Sequence, residues 1–78
     1  MMDNHEIKTT VTRVLTSVLR KEIRDEQVPF VELGADELDL FEFVLKIEDA
    51  FMLEISDTDA TQLTTIEKTV AYIAARKE

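Results

Sequence analysis

The sequence lacks cysteine and has only one glycine and one proline among its 78 residues. Without cysteine it can form no disulfide, no thiolate metal site and no thiol nucleophile. A domain of many strands needs turn residues between them, so the scarcity of glycine and proline argues against a β architecture. Hydrophobic residues still make up 45% of the chain, which is enough for a packed core. We therefore predict a single all-α domain over residues 1–78.

Long apolar runs and an excess of positive charge are also missing. The longest apolar run, residues 70–75, is far shorter than the roughly 20 residues of a membrane-spanning helix. Nine basic residues stand against 17 acidic ones, and the net charge of −8 repels phosphate backbones and anionic lipids. We expect no nucleic-acid binding and no membrane insertion. Because the N-terminus is polar and acidic, unlike a secretory signal, we expect a cytoplasmic location, with an organelle matrix as the alternative.

The residues that could support catalysis or metal binding do not form a complete site. His5 is the single histidine and has no nucleophile or ligand set near it in the sequence. Asp57 and Asp59 are spaced as at the start of a calcium loop, but Gln62 and Lys68 occupy the positions that require Gly and Glu. We predict no catalytic residue and no metal site, so the protein is not expected to be an enzyme.

Apolar residues at three- and four-residue spacing predict a first helix over about residues 4–21. Its core-facing stripe comprises Ile7, Val11, Val14, Leu15, Val18 and Leu19. Asp3 or Asn4 can cap its start, since their side chains accept hydrogen bonds from free backbone amides. A long loop over about residues 25–35 should follow. Its apolar residues are expected to pin it across the bundle, and they are Val28, Phe30, Val31 and Leu33.

Three further helices are predicted over about residues 37–52, 57–61 and 65–76. Each start has a capping side chain followed three residues later by an acid, the caps being Asp36, Ser56 and Thr64. The last helix should bury Ile66, Val70 and Ile73. Four helices of unequal length, one long loop and a short third helix indicate an irregular four-helix bundle.

The second predicted helix has two apolar stripes on opposite sides. The inner stripe comprises Leu40, Phe43, Val44, Ile47, Ala50 and Phe51, and the outer stripe comprises Leu38, Phe41, Leu45 and Met52. Acidic residues flank the outer stripe on both sides, namely Glu37, Glu42, Glu48 and Asp49. In one interpretation both stripes are core. Burying unpaired acids is costly, however, so we expect the outer stripe to lie outside the core.

The negative charge is concentrated around that outer stripe. Residues 36–59 contain nine acids and one base, Lys46, whereas the segments on either side are nearly neutral. Such a surface suits a partner with a hydrophobic slot surrounded by basic residues, although acidic faces commonly serve only solubility. The predicted partner-binding residues are Asp36, Leu38, Asp39, Phe41, Glu42, Leu45, Glu48 and Asp49.

Four segments, in order and at these separations, resemble the acyl carrier protein family. They are Leu-Gly-Ala-Asp-Glu-Leu-Asp at 33–39, Ile-Glu-Asp-Ala-Phe at 47–51, Glu-Ile-Ser-Asp at 54–57 and Leu-Thr-Thr-Ile at 63–66. The resemblance implies a four-helix carrier fold with a cavity for an acyl chain. It also implies docking of the acidic second helix on basic-patched enzymes of acyl-chain metabolism, in fatty-acid, polyketide or other lipid synthesis. We expect a monomer.

The sequence departs from that family at the attachment position. The family's motif reads Gly-x-Asp-Ser-Leu, and its serine carries 4′-phosphopantetheine through a phosphodiester. Here Asp36 and Leu38 match, but Glu37 stands in place of the serine. A carboxylate bonded to that phosphoryl group would be a labile acyl phosphate, so no such cofactor is expected on this sequence. Ser17, inside the first predicted helix, and Ser56, a predicted cap, are poor replacements.

Three interpretations of Glu37 stay open at this point. The chain is a non-carrying member that keeps the docking surface, or it is a genuine acyl carrier whose attachment serine was replaced by Glu37. A third interpretation, from another class, is an acidic helical inhibitor or nucleic-acid mimic without any link to acyl chemistry.

Overall fold

The computed structural model describes residues 3–77, so the predicted domain limits at residues 1 and 78 lie outside the described residues. Within that range it has α1 (Asn4–Leu19), α2 (Glu37–Phe51), α3 (Asp57–Ala60) and α4 (Ile66–Arg76). A short 3-10 helix, Phe30–Leu33, lies in the loop between α1 and α2, and no strand occurs in the described chain. The predicted all-α fold, an irregular bundle with a long loop and a short third helix, is confirmed.

The two long N-terminal helices end where a residue adopts the left-handed conformation. The carboxylate of Asp3 accepts a hydrogen bond from the amide of Glu6 at 2.9 Å, which caps α1. At the other end Arg20 has φ 57°, so α1 stops before the predicted residue 21. Met52, with φ 56°, ends α2 in the same way. Each of these helices therefore ends at one residue whose backbone turns to positive φ, which the apolar pattern does not reveal.

The core lies between α1, α2 and α4, with α1 packed against both of the other helices. Its most deeply buried large side chains are Ile7, Leu15, Phe30, Phe43, Ile47 and Ile73. The rings of Phe30 and Phe43 meet edge to face, with their centroids 4.9 Å apart. The predicted stripe of α1 is confirmed, because its members are buried or pack partly buried against this core.

The loop after α1 is held across the bundle as predicted, but not by all of the expected residues. Phe30 is buried and its amide donates to the carbonyl oxygen of Thr64 at 2.8 Å, while Leu33 packs partly buried. Val31 is 64% exposed, so its predicted anchoring role is wrong. A 3-10 helix has three residues per turn, which puts Phe30 and Leu33 on one side and Val31 on another. Gly34 follows with φ 97°, a conformation that favours glycine.

Other details of the predicted core and caps are also wrong. Ala50, at the margin of the inner stripe, is exposed. In α4, by contrast, Val70 packs partly buried against the core beside the buried Ile66 and Ile73, so the predicted face of that helix is confirmed. The apolar pattern missed Thr69, which is fully buried in α4 beside Ile73, because its hydroxyl donates to the carbonyl oxygen of Thr65 at 2.8 Å and so tolerates burial. The cap of α4 is Thr65 rather than Thr64, since the hydroxyl oxygen of Thr65 accepts the amide of Lys68 at 3.0 Å.

Candidate functional site

The first turn of α2 is stabilised by two reciprocal hydrogen bonds. The carboxylate of Asp36 accepts the amide of Asp39 at 2.8 Å, and the carboxylate of Asp39 accepts the amide of Asp36 at 3.1 Å. This is the predicted capping box, with Asp in place of the usual Glu. It places Glu37, with an exposed side chain, at the first residue of the helix. Both flanking acids therefore have a role in the fold as well as a charge.

The outer stripe of α2 lies outside the core. Leu38 is 77% exposed, Phe41 65%, Leu45 45% and Met52 85%. The interpretation in which both stripes are core is therefore wrong. We call these four residues the outer strip. Large apolar side chains this exposed are unusual when they lie together, and a contiguous apolar patch commonly marks an interaction surface.

The acids beside the outer strip differ in their structural roles. Glu42 and Asp49 are exposed, and neither is engaged in a side-chain hydrogen bond or ion pair among the described residues. Glu48 is half-buried, and its carboxylate accepts the amide of Ile55 at 2.8 Å. That charge-assisted bond holds the chain after α2 against the helix. A substitution at Glu48 would therefore change the fold together with the surface charge, whereas one at Glu42 changes the charge alone.

A groove of about 470 Å³ separates α2 from α3 and adjoins an inner cavity of about 250 Å³. The two share Leu40, Val44, Ala60 and Thr61 in their walls. The inner cavity extends to core side chains, among them Phe30, Phe43 and Leu63. The walls of the groove include three acidic residues, Glu37, Glu48 and Asp57. Sequence analysis did not place Asp57 or α3 at this site, because their position depends on how the chain folds back after α2.

A hydrogen bond from Tyr72 of α4 to Asp59 holds α3 in position, although α3 buries none of its own residues. The hydroxyl of Ser56 accepts the amide of Asp59 at 3.0 Å, so the predicted cap is confirmed. The Tyr72 hydroxyl donates to the carboxylate of Asp59 at 2.8 Å and accepts a hydrogen bond from Arg76. Partial burial and the bond to Asp59 raise the pKa of Tyr72 above its ordinary 10.0, while the charge of Arg76 opposes that shift.

Similarity to known proteins extends over nearly the whole chain. A family model described as a phosphopantetheine attachment site matches residues 9–73. An acyl carrier protein of Helicobacter hepaticus is 37% identical over 76 residues, which are 97% of this chain and 100% of that protein. The chain belongs to the acyl carrier protein family. Members of this family are carrier proteins rather than enzymes, which agrees with our prediction that the protein is not an enzyme.

Comparison of the folds also supports membership of the acyl carrier protein family. A solution structure of a chain assigned to the acyl carrier proteins, from Anaplasma phagocytophilum, superposes with a TM-score of 0.89 at 28% sequence identity. The match covers 100% of this chain and 96% of that one. Among residues 3–77, every helix is too short or too polar to cross a lipid bilayer. No three metal-binding side chains come together in that part of the chain.

The attachment chemistry of the acyl carrier protein family requires a hydroxyl at the start of α2, and residues 33–41 contain none. The side chain at the corresponding position is the carboxylate of Glu37. Thr61, in the wall of the groove, donates to the carbonyl oxygen of Thr58 at 2.6 Å, and Ser56 caps α3. Ser17 lies exposed on α1. The residues present at this position therefore do not fit covalent attachment of 4′-phosphopantetheine.

Proposed function

We propose that this chain is a non-carrying member of the acyl carrier protein family. It docks on enzymes of acyl-chain metabolism through α2 but carries no 4′-phosphopantetheine arm. The observation that carries this proposal is Glu37, an exposed residue at the first position of α2, with no hydroxyl among residues 33–41. A carboxylate joined to the phosphoryl group would be a mixed anhydride, which water hydrolyses. A stable arm at this position requires an alcohol.

The proposed docking surface combines the outer strip with the exposed acids around it. Phe41 is the best candidate for an anchor, because exposed aromatic side chains that fill a partner's pocket contribute most to binding. Glu37, Glu42 and Asp49 would attract basic residues around such a pocket. Complementary charges of this kind accelerate association, and they do so most at low ionic strength.

A second candidate is a genuine acyl carrier in which Glu37 replaces the attachment serine. The surroundings favour it, because the matching residues Gly34, Asp36 and Leu38 are all present and the side of α2 that faces the core lines an apolar cavity. In both candidates the docking surface is the same. They differ in whether position 37 is the place of an attachment serine or of a native glutamate.

The non-carrying proposal is tested by intact-mass measurement after incubation with a phosphopantetheinyl transferase and coenzyme A. The parent should keep its mass, whereas Glu37→Ser should gain one phosphopantetheinyl group if the recognition surface is functional. Gain of that group by the parent would overturn the non-carrying proposal. A Glu37→Ser variant that stays unmodified would count against the second candidate, since more than the serine would then be missing.

Docking through α2 can be tested on the same reaction. In the Glu37→Ser background, Glu42→Lys should slow modification at low salt and have a smaller effect at high salt. Glu54→Lys is the matched control, because Glu54 is an exposed acid outside α2 and the change in charge is identical. Equal rates for the Glu42→Lys and Glu54→Lys variants at every salt concentration would exclude steering by α2.

A further inference from the structure

We infer that the carboxylate of Glu37 takes the place of the phosphodiester on a modified acyl carrier. As a consequence, the chain binds enzymes that act on arm-bearing carriers in preference to the transferase that attaches the arm. The inference rests on the proposed function and names the class of partner for its docking surface. The observation that carries it is an exposed carboxylate held at the attachment position of a chain that otherwise matches the family.

The first turn of α2 fixes the point from which the Glu37 side chain extends. The reciprocal hydrogen bonds between Asp36 and Asp39, at 2.8 and 3.1 Å, hold this turn, and Glu37 is its first helical residue. The flanking residues Asp36 and Leu38 match the family's motif, and the family match continues on both sides of them. The side chain at position 37 therefore starts where the arm is attached in the family.

Glutamate and a serine phosphodiester place one negative charge at a similar distance from the backbone. The carboxyl carbon of glutamate is separated from Cα by Cβ and Cγ, and the phosphorus of the phosphodiester is separated from it by Cβ and Oγ. Each group is singly charged at neutral pH and accepts hydrogen bonds through its charged oxygens. An unmodified serine is neutral. In charge, this chain therefore resembles a modified carrier and differs from an unmodified one.

The Glu37 carboxylate is available to a partner. Its side chain is exposed, and within residues 3–77 it takes part in no side-chain hydrogen bond or ion pair. Lys21, which lies against the loop before α2, donates instead to the carbonyl oxygen of Leu33 at 2.6 Å. The next residue along α2, Leu38, is 77% exposed. A partner that covers the outer strip therefore also meets this charge.

The charge at position 37 distinguishes two classes of enzyme. An enzyme that acts on the arm must accommodate a phosphodiester at the start of α2, and a basic side chain is the group that suits it. The transferase must accommodate a neutral hydroxyl at the same place, because only an alcohol gives a stable attachment. A carboxylate there favours binding to the first class and disfavours binding to the second.

The test uses the full chain as a competitor in two reactions of an acyl carrier protein that has the attachment serine. In the first reaction, a phosphopantetheinyl transferase and coenzyme A modify that carrier. In the second, a synthetase joins a fatty acid to the thiol of the modified carrier, with ATP. Intact mass reports both products. The parent chain should inhibit the second reaction, and failure to inhibit it would overturn the inference.

Matched variants isolate the effect of the charge at position 37. Glu37→Gln should raise the inhibition constant in the second reaction about three- to fivefold, the size of an exposed ion pair, and should not raise it in the first. Glu42→Gln is the control, because Glu42 is an exposed acid of the same helix away from the attachment position, and it should change both constants by the same factor. Thermal melts verify that both variants are folded. A Glu37→Gln variant that changes both constants equally, or inhibits the second reaction as well as the parent does, would overturn the inference.

The inference and the proposed function fail by different measurements. Gain of a phosphopantetheinyl group by the parent, read from its mass in the first reaction, would show that the non-carrying assignment is wrong. Equal effects of Glu37→Gln in the two reactions would leave that assignment intact and show that partners do not recognise the charge at position 37.

Discussion

The two faces of α2 contain similar residues and have opposite surroundings. Phe43, Ile47 and Phe51 on the inner face are 0–2% exposed, whereas Leu38 and Phe41 on the outer face are 77% and 65% exposed. The inner face packs against α1, and the four residues of α3 leave the outer face open. Apolar character alone therefore does not tell which residues stabilise this helix and which are available to a partner.

The largest expected effect separates the two faces by stability. Ile47→Ala should lower the free energy of unfolding by about 2–5 kcal/mol, because it removes buried methyl groups and leaves a cavity. Leu38→Ala, a change of the same size on the outer strip, should stay within about 0.5 kcal/mol of the parent. Urea denaturation followed by circular dichroism measures both. Similar losses for the two variants would mean that the outer strip is covered in solution.

The second prediction compares a half-buried acid of α2 with an exposed one. Glu48→Ala should cost about 1–2 kcal/mol of unfolding free energy, because the half-buried amide of Ile55 loses its charged acceptor. Glu42→Ala should change it by about 0.5 kcal/mol or less, since Glu42 is exposed. The same denaturation experiment reports both values. If the Glu42→Ala variant were the less stable of the two, the assignment of structural and surface acids would have to be reversed.

The smallest effect concerns the attachment of α3 beside the outer face. Tyr72 is the only tyrosine and the chain has no tryptophan, so ultraviolet absorbance titration reports this phenol alone. Its pKa should lie above 10.0, and Asp59→Asn should lower it by removing the charged hydrogen-bond acceptor. A variant with the same pKa as the parent would show that the Tyr72–Asp59 bond is absent in solution.

The same shift determines the sign of a pH effect on stability. The folded state holds the Tyr72 proton more tightly than the unfolded chain does, so the stabilisation is complete below pH 10.0. As the pH rises from there through the higher pKa of the folded state, the unfolded chain ionises first and the unfolding free energy falls. The Asp59→Asn variant should lose less stability over that interval.

Local patterns in the sequence were sufficient for most of the fold. The stripe of α1, the capping box of Asp36 and Asp39 and the cap at Ser56 depend on residues three or four positions apart, and all were predicted. The errors arose where backbone geometry or a distant hydrogen-bond partner, rather than the apolar pattern, decides the outcome. Val31 faces solvent because the loop forms a 3-10 helix, and α4 starts one residue late because the Thr64 carbonyl oxygen bonds to Phe30.

The sequence by itself determined the helices, the clustering of charge between residues 36 and 59, the family and the missing attachment hydroxyl, because these follow from composition and short-range order. Only the tertiary structure decided which stripe of α2 is covered, that Glu48 accepts a hydrogen bond from the chain after α2, and that Asp57 lines the same groove as Glu37. Those features depend on the packing of α1, α3 and α4, which brings together residues far apart in the chain.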